Sequence, residues 1–480
     1  MIERFFFINT EKITKHLWLY FVIVVLFNIF FRLIDIDFSS YWYDEIISIK
    51  SASEDFGHIK HVSEWDNNPP FYYYCLSVWI KLFDDTEFFA RFLSVLFISF
   101  SGGLLFVFAN NFFNKSTAFI SSLLYLSSNI LFFYSHEARA YSLVVLLSLI
   151  STFFYFDLKN SVKIKNVLLL GLFNFLLIYT HYIAGLVIVF QLSLALFSFE
   201  KKQKKYFIYS LIVSILLTLI RFTKKQFLLI LSFNGSGNNF WLKKADINSL
   251  YDISSSLLFN QMLIIPILFI FFVGIFLLFK LNLKNTYFVV LYSFLIGIGS
   301  ILLLFLIGLF TPIFLERYLI FSIPFIILLI AYFLSFIKYK IVPIFVSVVF
   351  LMFSAFMKID YKTDKGMDYR NVTSFIKQIK KNDDLVIVKT KDIKPLFCYY
   401  YERDFLKTKK KELPENINII FCTTWNDMNK NLKIYKRIIV VDSFEEFNPN
   451  EKEFYEKINT EKHKYATVNF FKGVRLTFYN

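Results

Sequence analysis

The sequence has few charged residues, few cysteines and no low-complexity segment. Charged side chains make up 19% of the 480 residues, whereas soluble domains carry about 25%. This shortage of charge excludes an ordinary soluble enzyme and an intrinsically disordered chain. The 3 cysteines show no CxxC motif, which excludes a secreted disulfide scaffold and a cysteine-based metal site.

Apolar residues are abundant instead. They make up 56% of the chain, and the mean hydropathy is +0.54. They are grouped in runs close to the ~20 residues that cross a bilayer. We therefore predict a polytopic α-helical membrane protein with about 11 transmembrane helices. The predicted spans are 17–34, 88–108, 117–134, 141–156, 167–180, 182–199, 206–220, 262–279, 287–309, 318–336 and 341–357.

The positive charges indicate how these spans are oriented. Lysine and arginine number 52 against 37 acidic residues, a net charge of +15, which in a soluble protein suggests nucleic acid binding. Here lysines fill alternate loops, such as 201–205, whereas the opposite loops 135–140, 181–182 and 309–317 contain none. The positive-inside rule then predicts a multi-pass protein of the cell (inner or plasma) membrane with a cytoplasmic N-terminus. We expect a bilayer and no nucleic acid as partner, and the first run to be a span rather than a cleaved signal peptide.

Two domains are predicted. Residues 1–359 form the membrane domain, with long outer loops at 35–87 and 221–261. Residues 360–480 alternate short apolar strands with amphipathic helical segments, including 426–436, which predicts a small extracytoplasmic α/β domain. Cys398 and Cys422 both lie in this tail, so a disulfide between them is left open.

Acidic and aromatic residues meet in the first outer loop. Asp44 and Glu45 follow the aromatic segment Tyr41–Trp42–Tyr43, a composition typical of headgroup depth. Such a carboxylate pair is suited to general base catalysis or to divalent cation binding. The alternative interpretation is a solvated loop with an interfacial aromatic belt.

The same loop then contains Asn68, Pro69 and Pro70 ahead of an apolar run of about 13 residues. Two prolines favour the start of a helix, and the run is too short to span a bilayer. We predict a helix that lies in the membrane interface.

Further polar residues follow at the outer ends of later spans. His136, Glu137 and Arg139 share one short loop, where arginine is suited to bidentate phosphate binding. Glu316 and Arg317 lie at the start of the tenth span, and His181 lies in a turn between two spans. The alternatives are a structural Glu137–Arg139 ion pair and a packing role for His181. Arg91, near the start of the second span, is a further basic residue that could extend to lipid headgroups.

The order of these motifs resembles the GT-C glycosyltransferases, in particular the bacterial branch with protein O-mannosyltransferases and lipid A aminoarabinose transferases (glycosyltransferase family 39). One departure is Asn68, where that branch usually has histidine. The resemblance extends over nearly the whole chain and rests on the acidic pair at Asp44, PPFYY at Pro69, ARFLS at Arg91, SHEARAYSL at Arg139, THY at His181, ERYL at Arg317 and DYRNVTSFIK at Asp368.

The resemblance implies a donor and residue roles. The enzyme would move a sugar from a polyprenyl-phosphate carrier to a lipid, glycan or protein on the outer membrane face. Asp44 would be the catalytic acid–base group, supported by Glu45, while Glu137 would face the same cavity. Arg139 and Arg317 would hold the carrier phosphate, whose negative charge grows as the sugar–phosphate bond breaks. His136, His181 and Asn68 are further candidates for substrate binding.

The sequence allows more than one interpretation of the metal requirement and of the class of function. If a divalent metal ion takes part, Asp44 and Glu137 are the candidate ligands. A transporter or flippase for lipid-linked glycans is the alternative function, but it would be expected to have polar or broken spans around a midplane site. A glycan polymerase or ligase would share the long outer loops, but not the early acidic pair followed by the interfacial helix.

Overall fold

The structure is a computed structural model. It describes residues 15–62, 68–224, 226, 243–257, 284–337, 339, 341, 345, 348–349, 352, 368–403, 418–428, 432–443, 451–470 and 474–480.

Most of the described chain is helical. Short 3-10 helices at Tyr182–Gly185 and Glu316–Ser322 precede two of the α-helices, and a π-helical turn at Leu295–Gly299 joins two others. The α-helices are α1 Lys15–Arg32, α2 Tyr43–Ala52, α3 Phe56–Val62, α4 Phe71–Leu82, α5 Glu87–Phe112, α6 Lys115–Ser127, α7 Asn129–Ser135, α8 Tyr141–Asn160, α9 Ile164–Ile178, α10 Leu186–Ser198, α11 Lys201–Arg221, α12 Ile247–Leu257, α13 Lys284–Phe294, α14 Ser300–Gly308, α15 Ile323–Leu334, α16 Tyr369–Ile379, α17 Lys394–Tyr401 and α18 Glu451–Glu461.

Several of these helices agree with the predicted spans. Within the described residues, 5 helices are long and apolar enough to cross a membrane, and the bent pair of α6 and α7 makes up to 6. The shorter apolar helices α1, α9 and α10 fall on three further predicted spans. The predicted span 262–279 and most of 341–357 lie outside the described residues. The total of eleven therefore stays a prediction.

The third predicted span is bent in the structure. Helices α6 and α7 meet at an angle of 59°, because Ser128 adopts an extended backbone (φ −66°, ψ 114°) that interrupts the helix. Helix α7 then leads directly into the short turn that contains His136, Glu137 and Arg139. The bend therefore sets the direction from which these polar residues enter the outer site.

The helices differ strongly in how much of their surface is covered by protein. Of the membrane-length segments, 89% of α8 and of Glu316–Leu334 is buried, against 17% of α11. Helix α11 exposes Ile208, Ile212, Ile215 and Leu219 along its length. Apolar exposure of this kind is typical of a lipid-facing helix, whereas α8 and Glu316–Leu334 form the centre of the bundle.

Hydrogen bonds between side chains connect the buried helices. The amide nitrogen of Gln191 donates to Ser151 Oγ at 2.9 Å and to the Tyr292 hydroxyl at 3.2 Å. The Asn174 amide donates to Gln191 Oε1 at 3.3 Å. This network ties α8, α9, α10 and α13 together, because a polar group in an apolar interior gains stability only when it has a partner.

The described residues of the first long loop, at 35–87, are largely helical. Helix α4 begins directly after Pro69 and Pro70 and spans 12 residues, so it is too short to cross a bilayer. It packs against α2 and α5, and the backbone N–H of Phe71 donates to the Tyr179 carbonyl at 3.1 Å. The predicted short helix after the two prolines is therefore present.

The C-terminal tail contains a five-stranded mixed sheet with strand order β2-β1-β3-β5-β4. Strand β1 pairs in parallel with β2 and β3, whereas β5 pairs antiparallel with β3 and β4. The small α/β domain predicted from the sequence is thus present. The strands are β1 Asp384–Lys389, β2 Ile419–Cys422, β3 Arg437–Ser443, β4 Lys464–Asn469 and β5 Val474–Tyr479.

Two details of the tail differ from the sequence prediction. Strand β4 was missed because it is an edge strand whose side chains are almost all exposed, so it lacks an apolar alternation. In the predicted helix 426–436, the described residues form 3-10 turns at Trp425–Asp427 and Leu432–Ile434 instead. Cys398 and Cys422 are buried free thiols, and burial raises their pKa to about 12 and about 11, respectively.

Close packing between α1 and α5 depends on Gly103. A Cβ at this position would lie 2.6 Å from the Phe21 ring and 2.7 Å from Val25. We expect Gly103→Ala to destabilise the protein by about 1–3 kcal/mol, because the ring and the helix must move apart. The measurement is the thermal midpoint of the detergent-solubilised protein.

Gly57→Ala is the matched control, since a Cβ there meets nothing within 4 Å. In helix α3 this change is expected to leave the midpoint unchanged or to raise it. Equal destabilisation by both substitutions would contradict the close approach of α1 and α5.

Candidate active site

A buried ion pair joins Glu45 of α2 and Arg91 of α5. Arg91 Nε donates to Glu45 Oε1 at 2.8 Å, and Arg91 Nη2 donates to Oε2 at 2.7 Å. The two side chains are 0% and 1% exposed. This bidentate geometry is the strongest arrangement that arginine and a carboxylate form. Arg91 is therefore not extended toward lipid headgroups, and that alternative is wrong.

Arg91 also binds three carbonyl oxygens of the loop before α2. Its Nη1 donates to Ile36 and Ser39, both at 2.9 Å, and its Nη2 donates to Ser40 at 3.1 Å. An arginine carries five N–H donors, and with the two bonds to Glu45 all five are used. The loop at 36–40 is thereby fixed to the outer end of α5.

Glu45 joins this assembly to the turn after α7. Its Oε1 accepts the backbone N–H of Ala138 at 2.9 Å, and its Oε2 accepts that of Trp42 at 3.3 Å. Asp44 and Arg139 are the direct sequence neighbours of Glu45 and Ala138. The buried bond between Glu45 and Ala138 therefore brings Asp44 and Arg139 to the same place.

Asp44 lies between two guanidinium groups. Its Oδ2 is 3.9 Å from Arg139 Nη2 and 3.6 Å from Arg317 Nη1. The Asp44 side chain is 26% exposed, so it is the accessible member of the acidic pair. The two guanidinium groups that face this carboxylate are suited to bind an anion.

Arg139 is held by α2 and α4 together. Its Nη1 donates to the Asp44 carbonyl and to Ser48 Oγ, both at 3.2 Å, and to the Tyr73 hydroxyl at 3.4 Å. Tyr73 belongs to the FYYYC run of α4 and is not among the site residues that the sequence predicts. A run of three tyrosines after two prolines was the available signal, but it could not tell which hydroxyl faces inward.

His181 lies beside the two arginines, in the turn after α9. Its ring centroid is 5.0 Å from that of Tyr318 and 6.2 Å from that of Tyr141. Burial, and then the positive charges of Arg317 and Arg139, lower the pKa of His181 to about 3. The ring is therefore neutral at physiological pH and does not act there as an imidazolium acid.

Glu316, the neighbour of Arg317, connects the site to α12. It accepts a hydrogen bond from the Tyr134 hydroxyl at 3.1 Å and another from Ser256 of α12. Glu137 is 2% exposed and acts electrostatically on the same Tyr134. The sequence noted Glu316 only as a charge at a span end, because its partners are more than 50 residues distant along the chain.

Two other predicted residues are His136 and Asn68. His136 Nε2 is 2.6 Å from the Arg32 carbonyl, and its ring is 4.3 Å from that of Phe132. Asn68 is half-buried directly before Pro69. Their roles in substrate binding stay predictions.

The surroundings of Asp44 do not fit a divalent cation. Two guanidinium groups lie within 4 Å of its carboxylate, and positive charge there opposes a second cation. Within the described ranges, no group of at least three His, Cys, Asp or Glu side chains could hold a metal ion together. The described residues around Asp44 therefore do not form a metal-binding group.

The bundle and the tail can be compared with known proteins. Residues 67–222 match the family model of dolichyl-phosphate-mannose-protein mannosyltransferases. No curated protein sequence matches the chain. Among solved structures, ArnT from Cupriavidus metallidurans bound to undecaprenyl phosphate superimposes with a TM-score of 0.59 at 12% identity, over 96% of this chain and 98% of that one.

This chain has the GT-C fold. The apo state of the same ArnT gives a TM-score of 0.58 at 12% identity, over 96% of this chain and 97% of that one. An oligosaccharyltransferase from Archaeoglobus fulgidus gives 0.50 at 9% identity, over 82% of this chain and 64% of that one. The resemblance to the GT-C glycosyltransferases predicted from the sequence is thus confirmed, together with the multi-pass membrane architecture.

The GT-C fold does not by itself distinguish the roles of Asp44 and Glu45, but their burial predicts different mutant effects. Glu45→Gln keeps the shape of the side chain and leaves the Arg91 charge buried without a carboxylate. We expect a loss of about 3–5 kcal/mol of stability, measured as a lower thermal midpoint in detergent.

Asp44→Asn is the matched control, because its carboxylate is partly exposed and makes only longer ion pairs. Its midpoint is expected to stay close to that of the unaltered protein. If Glu45→Gln kept the native midpoint, the assignment of Glu45 to a supporting structural role would be wrong.

Proposed function

We propose that this protein is a membrane glycosyltransferase that moves a sugar from a polyprenyl-phosphate carrier to an acceptor at the outer membrane face. The observation that carries the proposal is the placement of Asp44 between Arg139 and Arg317, at one end of the bundle. A carboxylate is suited to take a proton, and two guanidinium groups are suited to hold a phosphate. The family model over residues 67–222 and the GT-C fold support the same class of reaction.

In the proposed reaction, the acceptor hydroxyl attacks the anomeric carbon of the sugar. The acceptor oxygen forms a bond to this carbon while the bond from the carbon to the phosphate oxygen breaks. Asp44 takes the proton of the hydroxyl, and the polyprenyl phosphate leaves with the electron pair. Attack in line with the leaving group inverts the configuration at the anomeric carbon.

The two arginines stabilise the departing phosphate. Its negative charge increases as the bond breaks. Hydrogen-bond donors that are already in place therefore stabilise the transition state more than the ground state, which lowers the barrier. Arg139 is fixed by its bonds to Ser48 and Tyr73, and the Arg317 guanidinium lies 5.7 Å from the centre of the Tyr318 ring. His181, which lies beside the two arginines, is neutral and contributes no charge of its own.

The carrier, the acceptor and the orientation in the membrane are further parts of the proposal. We propose that the polyprenyl chain lies along the apolar helix surface while its phosphate reaches the arginines. We further propose that the N-terminus is cytoplasmic and the tail extracytoplasmic. The sugar is a hexose or a pentose, and the acceptor is a lipid, a glycan or a protein. Charged residues concentrated at one end of the bundle support an enzyme over a flippase, which needs a site near the bilayer midplane.

Asp44→Asn is expected to reduce transfer by about 10²–10⁴-fold, because the general base is lost. The measurement is mass spectrometry of cell-surface glycans and glycolipids. It compares cells that lack the protein with cells that express the unaltered or the substituted chain at equal membrane levels.

Asp55→Asn is the control, since Asp55 is an exposed carboxylate of the same outer loop beyond α2. Glycan levels with this variant are expected to match those with the unaltered chain. Full activity of Asp44→Asn would remove Asp44 from the catalytic role.

Arg317→Ala is expected to weaken the binding of undecaprenyl phosphate by about tenfold or more, because a charge-assisted contact to the phosphate is lost. The probe contains no sugar, so the test does not depend on which sugar is transferred. The dissociation constant is measured with purified protein in detergent.

Lys115→Ala serves as the comparison, because Lys115 is exposed at the start of α6, away from this cluster. Its dissociation constant is expected to equal that of the unaltered protein. Equal affinity of Arg317→Ala and Lys115→Ala would exclude Arg317 from the phosphate site.

A further inference from the structure

The C-terminal tail touches the membrane domain at the loop that leads into Asp44. Helices α16 and α17 supply contacts through Arg370, Tyr399 and Tyr400, and Arg403, just after α17, supplies another. On the membrane domain, these side chains meet the backbone between Asp37 and Tyr41 and the acidic residues at 84–87. We call residues 36–42 the entry loop, because α2 and Asp44 follow it directly.

Arg370 binds the entry loop and the start of α5 at once. Its Nη2 donates to the carbonyls of Asp37 at 3.0 Å and Ser39 at 3.1 Å. The same Nη2 is 2.7 Å from Glu87 Oε1. Glu87 is the first residue of α5, where the helix dipole also favours a negative charge. One tail residue therefore bridges the entry loop and the helix that contains Arg91.

Tyr400 makes a second bridge from the tail. Its hydroxyl donates to Glu87 Oε1 at 2.7 Å and accepts the backbone N–H of Tyr41 at 2.6 Å. Burial, and then the Glu87 carboxylate, raise the pKa of the Tyr400 phenol well above its usual range. The phenol therefore keeps the proton that it donates to Glu87 at all physiological pH values.

The entry loop is thus held from two sides. The Ser39 carbonyl accepts from Arg91 of the membrane domain at 2.9 Å and from Arg370 of the tail at 3.1 Å. Tyr41, which Tyr400 binds, is separated from Asp44 by two residues. Any shift of the entry loop would move the start of α2 and the Asp44 carboxylate with it.

We propose that the C-terminal tail is part of the catalytic machinery, with Arg370, Tyr400 and Glu87 acting as positioning residues that fix the entry loop and thereby the Asp44 carboxylate. The proposal rests on the proposed function of Asp44. None of these three residues needs to touch the substrate. Their effect comes from geometry, because small displacements of a catalytic group reduce rates strongly.

A different tail contact provides the matched control. Arg403 binds Asp84 at 2.7 Å and Asp85 at 3.1 Å, so it also docks the tail on the membrane domain. Its ion pairs involve no residue of the entry loop. Arg403→Ala therefore removes a docking ion pair without removing a bond to the loop.

The first measurement is hydrogen exchange of the full-length protein in detergent. Arg370→Ala and Tyr400→Phe are each expected to speed exchange of the amides at 39–44 by about tenfold or more, since local opening becomes easier. Arg403→Ala is expected to leave the exchange of these amides unchanged. Unchanged exchange in Arg370→Ala and Tyr400→Phe, or an equal increase in Arg403→Ala, overturns the proposal.

The second measurement separates positioning from unfolding. Arg370→Ala is expected to lower the glycan product in cells by about tenfold, while the dissociation constant for undecaprenyl phosphate stays within about twofold of the unaltered value. A tail that served only for stability would change both together or neither, and either result overturns the proposal.

The two measurements also distinguish the positioning role of the tail from the proposed glycosyl transfer. If the unaltered chain produced no glycan, the proposed transfer would be wrong, and the exchange rates at 39–44 would still decide whether the tail fixes the entry loop. If the unaltered chain were active and Arg370→Ala changed neither exchange nor product, the fault would lie with the positioning role alone.

Discussion

A carboxylate and a guanidinium can be buried together only when nearly every polar atom has a partner, and Glu45 and Arg91 meet this condition. All five donors of Arg91 are used, and both oxygens of Glu45 accept a second hydrogen bond. Without these bonds the desolvation of both charges would exceed their attraction. This end of the helix bundle depends on the pair, because it joins the entry loop, α2, α5 and the turn after α7.

The charged groups of the site are arranged around that buried pair. The bond between Glu45 and the Ala138 N–H brings their sequence neighbours Asp44 and Arg139 together, with the Asp44 side chain 26% exposed and that of Arg139 7% exposed. Arg317 Nη1 then lies 3.6 Å from the same Asp44 carboxylate. The result places one accessible carboxylate between two guanidinium groups, which matches a reaction that needs a base and develops negative charge on a phosphate.

Much of the architecture could be predicted from the sequence. Long apolar runs, lysine-rich alternate loops and the alternating pattern after residue 360 indicated a helical membrane domain with a small α/β tail. Strand β4 could not be found this way, because an exposed edge strand has no apolar periodicity. The contacts of Arg370 with Ser39 and Glu87 were equally inaccessible, because they join residues about 300 positions apart along the chain.

The sequence by itself determined which residues are available to the site: Asp44, Glu45, Arg139, His181 and Arg317 stand out because they lie at the ends of apolar spans that contain almost no charged groups. Only the tertiary structure decided which of these residues is buried and which is exposed. Consecutive residues of a helix point about 100° apart, so one carboxylate of the pair is buried on Arg91 and the other reaches the surface. Likewise, burial beside two arginines, and not sequence, keeps His181 neutral. The same local sequence could have served either role, because burial and partners are properties of the assembled bundle.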